Sequence, residues 1–459
     1  MNTLSFGGKL KILLFIGYTC GYMGLAWGVT QQSWRPLFDG KTLNGWKRVG
    51  GEAPFTVEGG VIVGTMTAGT PNSFLITEQE YGDFILELDI KLEGETTNSG
   101  IQIRSHLDEN RGRVYGRQVE IDPSIRAWTG GIYDEARRGW LYPLDLNEQA
   151  KNAYKKGAFN RIRIEAIGNE TTTWVNGIPA AHVVDTLDAS GFIGLQVHSI
   201  SDQALAGKKV YFKNIRIRTK NLRPRKIPKG IYTVNLTPNT LSAYEKRNGV
   251  KLLFDGHSHN GWVGAYKKTF PEKGWEINNG TITVLSSKGN KSARGGDIVT
   301  TSKYGAFDLS FEFRLTKGAN SGVKYFVTLA EEHKGASIGL EYQILDDAEH
   351  PDAKMGKGGN RTLASLYDLI AAQRPKRTLR KIGEWNSGRI VVQPNGRVTH
   401  YLNGEKVLEY VRGSDAYRNL VSQSKYNVWK HFGEAETGHI LLQDHNDEVS
   451  FRNIKIKQL

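Results

Sequence analysis

A duplication running through most of the chain limits its fold more than any other feature. The motif LFDG at Leu37–Gly40 returns at Leu253–Gly256, roughly 220 residues on, and each copy is followed by NGW, at Asn44–Trp46 and Asn260–Trp262. Phe55–Thr65 matches Trp275–Leu285, Trp174–Gly177 (WVNG) matches Tyr401–Gly404 (YLNG), and Val210–Arg218 matches Val449–Lys457. A repeat of this length is a whole domain, not a solenoid unit. The sequence therefore divides into units at 34–219 and 249–459. Between them, 220–248 is a linker carrying Pro224, Pro228, Pro238, a basic run and a short helical signal near Thr240–Arg247.

Each unit is dominated by period-two alternation. Phe84, Leu86, Leu88, Ile90 and Leu92 alternate with Glu87, Asp89 and Lys91; Phe307, Leu309, Phe311, Phe313 and Leu315 alternate with Asp308, Ser310, Glu312 and Arg314. Such strands bury one face and expose the other. No long stretch has helical periodicity, and Gly and Asn turns separate the strands, so each unit reads as an all-β sandwich. Around 190 residues per unit exceeds an immunoglobulin-type sandwich and favours larger, curved sheets of jelly-roll type.

The 459 residues are 39% apolar and 24% charged, as in a soluble protein with substantial cores. A net charge of +14 makes nucleic acid the first partner to weigh. However, the basic residues alternate with Asp and Glu along strand faces, and the densest cluster, Lys220–Lys229, falls in the linker, so the reading is a solvated basic surface and no nucleic acid. In residues 1–28, Lys9 and Lys11 precede an apolar run, Ile12–Trp27, that is short and broken by glycines. It reads as a secretory signal peptide cut after Ala26 or Gly28, leaving no transmembrane anchor. Cys20, the single cysteine, lies inside it, so the mature chain has no disulfide or thiol chemistry. A periplasmic or secreted location in a Gram-negative envelope is expected.

The strand Gly339–Asp347 (GLEYQILDD) has a counterpart at Gly116–Asp122 (GRQVEID). Tyr342 and Ile344 oppose Glu341 and Gln343; Val119 and Ile121 oppose Gln118, Glu120 and Asp122. Both repeats carry Asn-Ser-Gly (Asn98–Gly100 and Asn320–Gly322) before another strand. There Gln102 and Arg104 face away from Ile101 and Ile103, and Lys324 and Phe326 face away from Val323 and Tyr325. Near each end stands Gln-x-His, at Gln196/His198 and Gln443/His445. Aromatics fill the segments between: Trp128, Tyr133, Trp140 and Tyr142 in the first unit, Tyr367, Trp385 and Trp429 in the second. Planar rings beside carboxylates, amides and a histidine suit sugars, whose C–H faces stack and whose hydroxyls need donors and acceptors. The cluster Asp346, Asp347, Glu349, His350 and Asp352 lacks a recognised metal spacing and reads as a solvated acidic loop.

Taken together, LFDG-x-x-x-NGW, Asn-Ser-Gly, E-x-Q-ILD, Leu366-Tyr367-Asp368, Glu384-Trp385-Asn386, the Gln-x-His strand and FRNIKI resemble the 3-keto-disaccharide hydrolase family. That family is also described as 3-keto-glucoside 1,2-lyase and 2-hydroxy-glucal hydratase. The resemblance covers nearly all of the mature chain as two tandem copies, the second being closer. The first has Glu120 at the Gln position, lacks the double Asp, and has GAFN and GIYD in place of EWN and LYD. The resemblance implies two concanavalin A-like jelly rolls, a bacterial envelope location and action on glycosides already oxidised at C3, supplied by a C3-oxidising dehydrogenase.

A C3 ketone acidifies the C2 proton, so a base can remove it and expel the C1 oxygen by β-elimination; water then adds back. This needs a base, a donor or cation at the enolate oxygen, and an acid for the leaving group. In the second unit the expected base is His445 or Glu341, with Lys324 and Gln343 on the enolate and Tyr367 or Asp368 at the leaving group. Asn320, Gln443 and Trp385 would bind sugar. In the first unit the corresponding residues are His198, Glu120, Asp122, Arg104 and Tyr133, with Asn98, Gln196, Trp128 and Trp140 on the sugar. No cofactor is certain, and a divalent metal in place of Lys or Arg stays open. Two other functions fit the same fold. One is a glycoside hydrolase resembling the E-x-D-x-x-E glucanases, although the third acid would fall at Ile125 and the second unit has Gln343 for the first acid. The other is a non-catalytic lectin-like module.

Overall fold

Phe84–Leu92 and Phe307–Leu315 hold the centre of one sheet in each repeat, each hydrogen-bonded antiparallel on both sides. The computed structural model describes residues 34–330 and 337–459; the segment 1–28, expected to be a signal peptide, lies outside the described residues. In the first repeat one sheet runs, in spatial order, Val234–Asn235, Ile178–Val184, Glu170–Val175, Asn160–Ile167, Phe84–Leu92, Lys209–Arg218, Val61–Thr65 and Phe55–Glu58, with Arg35–Pro36 beside Lys209–Arg218. The facing sheet runs Gly139–Tyr142, Ile132–Glu135, Arg113–Ile121, Ser99–Asp108, Phe192–Val197, Ser73–Thr77 and Trp46–Gly50.

The second repeat copies this plan. Its larger sheet centres on Val449–Gln458, Phe307–Leu315 and Asn386–Val392, and its smaller one runs Trp262–Gly264, Ile298–Thr300, His439–Leu442, Asn320–Thr328 and Ile338–Leu345. Nearly all pairing is antiparallel, and the chain is two tandem jelly-roll sandwiches, as the alternation predicts. The inward rows do the packing: Phe84, Leu86, Leu88 and Ile90 meet Ile101, Val119, Ile121 and Leu195, and Phe307, Leu309, Phe311 and Phe313 meet Val323, Tyr342, Ile344 and Leu442. No helix among the described residues is long and apolar enough to cross a membrane.

The segment between the repeats is built into both. Val234–Asn235 adds a parallel strand to the first repeat at Val183–Val184. The helix Ala243–Arg247 follows with a capping box from Ser242 and Glu245. Lys455 of the second repeat reaches Glu245 at 2.8 Å, both side chains being buried, and Asn453 Nδ2 donates to the Asn235 carbonyl at 3.1 Å.

A bulge overturns one face assignment in each repeat. Strand pairing slips between Ile103 and His106 and between Tyr325 and Thr328, where Arg104 and Phe326 take φ of +45° and +53°. Period-two counting fails past the slip. Phe326 turns into the core. Arg104, read as the counterpart of Lys324, is instead 1% exposed and donates to the carbonyls of Gly82 (2.8 Å) and Gly168 (2.7 Å) and to Asp83 (2.9 Å). It ties loops together. Arg104→Ala should therefore cost about 2–4 kcal/mol of stability by urea unfolding, because it strands two carbonyls.

Candidate active site

The strand registers decide which side chains converge. Lys324 pairs with Glu341 and Gly322 with Gln343 across neighbouring strands, so all polar members point away from the core. A Cβ at Gly322 would lie 2.5 Å from Glu341 Oε1, so any larger residue there would push that carboxylate aside. This polar face opens into a cavity of about 240 Å³ lined by Asn320, Lys324, Glu341, Gln343, Tyr367, Lys425, Tyr426, Trp429, Phe432, Gln443 and His445. Pockets for drug-sized ligands start at ~300 Å³, so this volume suits a single sugar ring.

The cavity has opposite charge at its floor and aromatic rings on its wall. Lys324 Nζ lies 3.7 Å from Glu341 Oε2, the carboxylate buried and the lysine partly exposed. Burial raises the Glu341 carboxyl above its ordinary value, with Lys324 and Lys425 opposing. Lys425 Nζ sits 4.2 Å over the Tyr367 ring; desolvation lowers its pKa, with Glu341 opposing. Tyr367 donates its hydroxyl to Asp352 Oδ2 at 2.8 Å, and burial followed by that carboxylate pushes its pKa up, so it stays protonated. Tyr426 stacks on Phe432 with centroids 3.9 Å apart. Asn320 Oδ1 and Gln443 Oε1 are buried with no hydrogen-bond partner in the chain, which marks them as groups awaiting a ligand or water.

The sequence profile of the 3-keto-alpha-glucoside-1,2-lyase-like domain matches residues 33–218 and again 249–457. The chain belongs to this enzyme family. It is 37% identical over 233 residues, 46% of this chain and 79% of the relative, to the 3-keto-disaccharide hydrolase of Bacteroides thetaiotaomicron. A solved structure from Parabacteroides distasonis, named as a glycosyl hydrolase, is 30% identical, covers 49% of this chain and 100% of its own, and superposes with a TM-score of 0.42. The CBM66 carbohydrate-binding module from Bacillus subtilis is 17% identical, with 37% and 93% covered and a TM-score of 0.27.

The two lyase-like domains hold different polar sets. In the first, Gly100 pairs with Glu120 and Gln102 with Gln118. The counterpart of Lys324 is thus the neutral Gln102, and acid and amide exchange places along the next strand. The first set is also closed on itself: Gln102 Nε2 donates to Gln118 Oε1 (2.7 Å), Gln118 Nε2 to Glu120 Oε2 (3.0 Å) and Asn98 Nδ2 to Glu120 Oε1 (2.6 Å). Burial pushes Glu120 up to about 7. Glu135, unmarked in the sequence, also has its pKa raised by burial and faces His198 and Glu120. His198 Nδ1 donates to the Ser199 carbonyl at 2.6 Å, leaving Nε2 as the basic nitrogen. Gln196 is wholly buried, with both amide atoms unpartnered. Tyr133 lies beside Trp140, rings 5.2 Å apart.

Several expected residues fall elsewhere. Trp128 is 1% exposed in the core and cannot stack on a sugar. Trp140 and Trp385 line a cavity between the repeats, and Trp385 lies under Arg452 and Arg314, on the other sheet from the cleft. Asp368 is buried outside the cavity, accepting from Arg361 (2.7 Å) and the Lys425 N–H (3.0 Å). Asp122 is spent on Arg126 (2.7 Å) and the Ser124 N–H (3.0 Å). The 346–352 segment is no solvated acidic loop: Asp346 accepts from the Gly318 N–H at 2.8 Å, Asp347 pairs with Arg374, and Asp352 with Arg361 at 2.8 Å. Lys425, Tyr426 and Phe432 come from a segment without a repeat counterpart, so neither duplication nor alternation pointed to them.

Proposed function

We propose that the second-repeat cleft cleaves 3-keto-glycosides by removing the C2 proton, expelling the C1 substituent and adding water back. The observation that carries this is the buried Glu341 carboxylate 3.7 Å from the Lys324 ammonium, inside a cavity of one-ring size, in a chain of this family. Glu341 takes the C2 proton, and its raised pKa makes it a stronger base than an exposed carboxylate. The electron pair passes to the C3 oxygen as an enolate, which Lys324 stabilises with Gln343. When the C3 carbonyl re-forms, a C1–C2 double bond appears and the C1–O bond breaks. Lys425, its pKa lowered, gives the departing oxygen a proton, with Tyr367 beneath it. Water then adds at C1 and a proton returns to C2, giving net hydrolysis.

The substrate ketone requires a C3-oxidising dehydrogenase upstream. The basic, apolar start of the sequence supports a periplasmic or secreted enzyme.

The test compares a plain disaccharide with its 3-keto derivative in D₂O. Only the ketone should be cleaved, with one deuterium at C2 of the released sugar. Cleavage of both would favour an ordinary glycosidase, and binding without cleavage a lectin.

A further inference from the structure

We propose that the cavity between the two repeats binds an acidic sugar, one or two rings carrying a carboxylate, at a site separate from the second-repeat cleft. Alternation explains why the space exists. Asp308, Ser310 and Glu312 point out of the larger sheet of the second repeat, opposite the core residues Leu309 and Phe313. That outer face is roofed by Gly230–Leu236 of the connecting segment and by Trp140 and Leu141 of the first repeat, and about 530 Å³ remains beneath the roof. This falls within the roughly 300–1,000 Å³ of small-molecule sites. It also exceeds the 240 Å³ of the cleft, which opens on the other sheet.

The lining supplies rings and polar groups already fixed in place. Trp140 enters from the first repeat and Trp385 from the second, the latter with the Arg452 guanidinium 4.0 Å over its ring. Arg389 lies over the Tyr232 ring at 4.0 Å and the Tyr401 ring at 5.0 Å, and Asp308 fixes it through bonds of 2.8 and 2.7 Å. Groups held this way lose little freedom when a ligand arrives. Asn248, also on the lining, has a buried Oδ1 with no partner in the chain, an acceptor suited to a sugar hydroxyl.

The charges left over point to an anion. Arg452 is paired with Glu312 at 2.6 Å, Lys455 with Glu245 at 2.8 Å, and Arg137 and Arg138 with Asp134, Asp185 and Asp188. Among the described residues, the Arg380 and Lys457 side chains on the lining have no hydrogen bond or ion pair. Glu384, the remaining acid of the lining, is exposed and accepts from the Lys381 N–H at 3.2 Å. The first repeat shows the same sheet face closed on itself. There Glu87 holds Arg161 (3.5 Å), Arg163 (2.7 Å) and Arg216 (2.5 Å), and Trp34 lies under Arg163, Arg216 and Arg218. In the second repeat Ser310 stands at the position of Glu87, so the neutralising carboxylate is missing from the chain. A ligand carboxylate supplies it, while the sugar's C–H faces meet the tryptophans.

The experiment titrates the full chain with cellobiouronic acid and with cellobiose, which differ by a carboxylate in place of a hydroxymethyl group, and follows heat and tryptophan fluorescence. Wild type should bind the acidic disaccharide about 10–100-fold more tightly than the neutral one, the scale of one hydrogen-bonded charge pair. Raising the ionic strength should narrow that gap. Arg380→Gln and Lys457→Gln should each lose about 10-fold or more of the affinity for the acid. Arg380→Lys, which keeps the charge, should retain most of it, and melting curves matched to wild type exclude misfolding. Lys324→Gln, altered in the cleft, should bind the acid as wild type does. The site is overturned by no binding of the acid, by equal affinity for cellobiose, by unchanged affinity in both Gln variants of the cavity, or by loss of affinity in Lys324→Gln. None of these outcomes bears on turnover of a 3-keto-glucoside, which tests the cleft.

Discussion

Glu341→Gln is expected to lower kcat on a 3-keto-glucoside by about 10²–10⁴-fold, with the fold intact and KM little changed. Gln keeps the size and one acceptor oxygen toward Lys324 but cannot take a proton. The pH profile gives an independent readout. Burial raises the Glu341 pKa, so wild-type activity should fall as pH drops through a limb above the ordinary carboxylate value of about 4.3, and the variant should lack that limb. Stability carries the opposite sign. A folded-state pKa above the unfolded one means that the folded protein loses stability as pH rises through the interval between them, as the buried carboxyl ionises. The Gln variant never ionises, so above that interval it should melt no lower than wild type, and below it the two should coincide. Melting curves across the acidic and neutral range check this. A variant that is inactive and also less stable at neutral pH would mean that Glu341 serves mainly to anchor Lys324.

What could be read from the sequence follows the limits of alternation. Tyr342 and Ile344 in the core, with Glu341 and Gln343 in the cleft, come from period two alone, because that strand is regular along its length. The duplication then located Lys324, Asn320, Gln443 and His445 around it. Both devices failed where backbone geometry breaks the pattern. A single residue at positive φ reversed Arg104 and Phe326. Composition misled for the tryptophans: Trp128 donates its indole N–H to Asp145 at 3.2 Å and is a core residue, since a large ring in a linking segment is as useful for packing as for stacking on sugar. Lys425 was hidden for a different reason. It reaches the cleft from an irregular segment whose path depends on tertiary contacts.

The same comparison shows that the two clefts are not equivalent, and a pair of substitutions should display it. Were both clefts equally active, disabling either would remove about half the turnover. Lys324→Gln, which gives the second cleft the residue found at Gln102, should instead cost about 10²–10³-fold in kcat, the scale of losing one preorganised donor to a developing oxyanion. Glu120→Gln in the first cleft should change total turnover by less than about twofold. The reason lies in how each carboxylate is held. Glu120 takes two amide donors, from Asn98 and Gln118, and the Arg126 guanidinium 3.7 Å from it is bound by Asp122 at 2.7 Å and lies over Trp128, whereas Glu341 has the Lys324 ammonium 3.7 Å away and a second ammonium over the neighbouring Tyr367. An enolate formed beside Gln102 and Gln118 would meet amides and no lysine, its nearest cation being a guanidinium already paired with Asp122. Those amides, with Gln196 unpartnered and His198 presenting a basic nitrogen, can still bind sugar hydroxyls. Binding of an uncleaved 3-keto ligand to a Lys324→Gln chain should therefore persist, and it should weaken on Gln196→Ala. A collapse of turnover in Glu120→Gln would refute the asymmetry and make the first cleft an enzyme site in its own right.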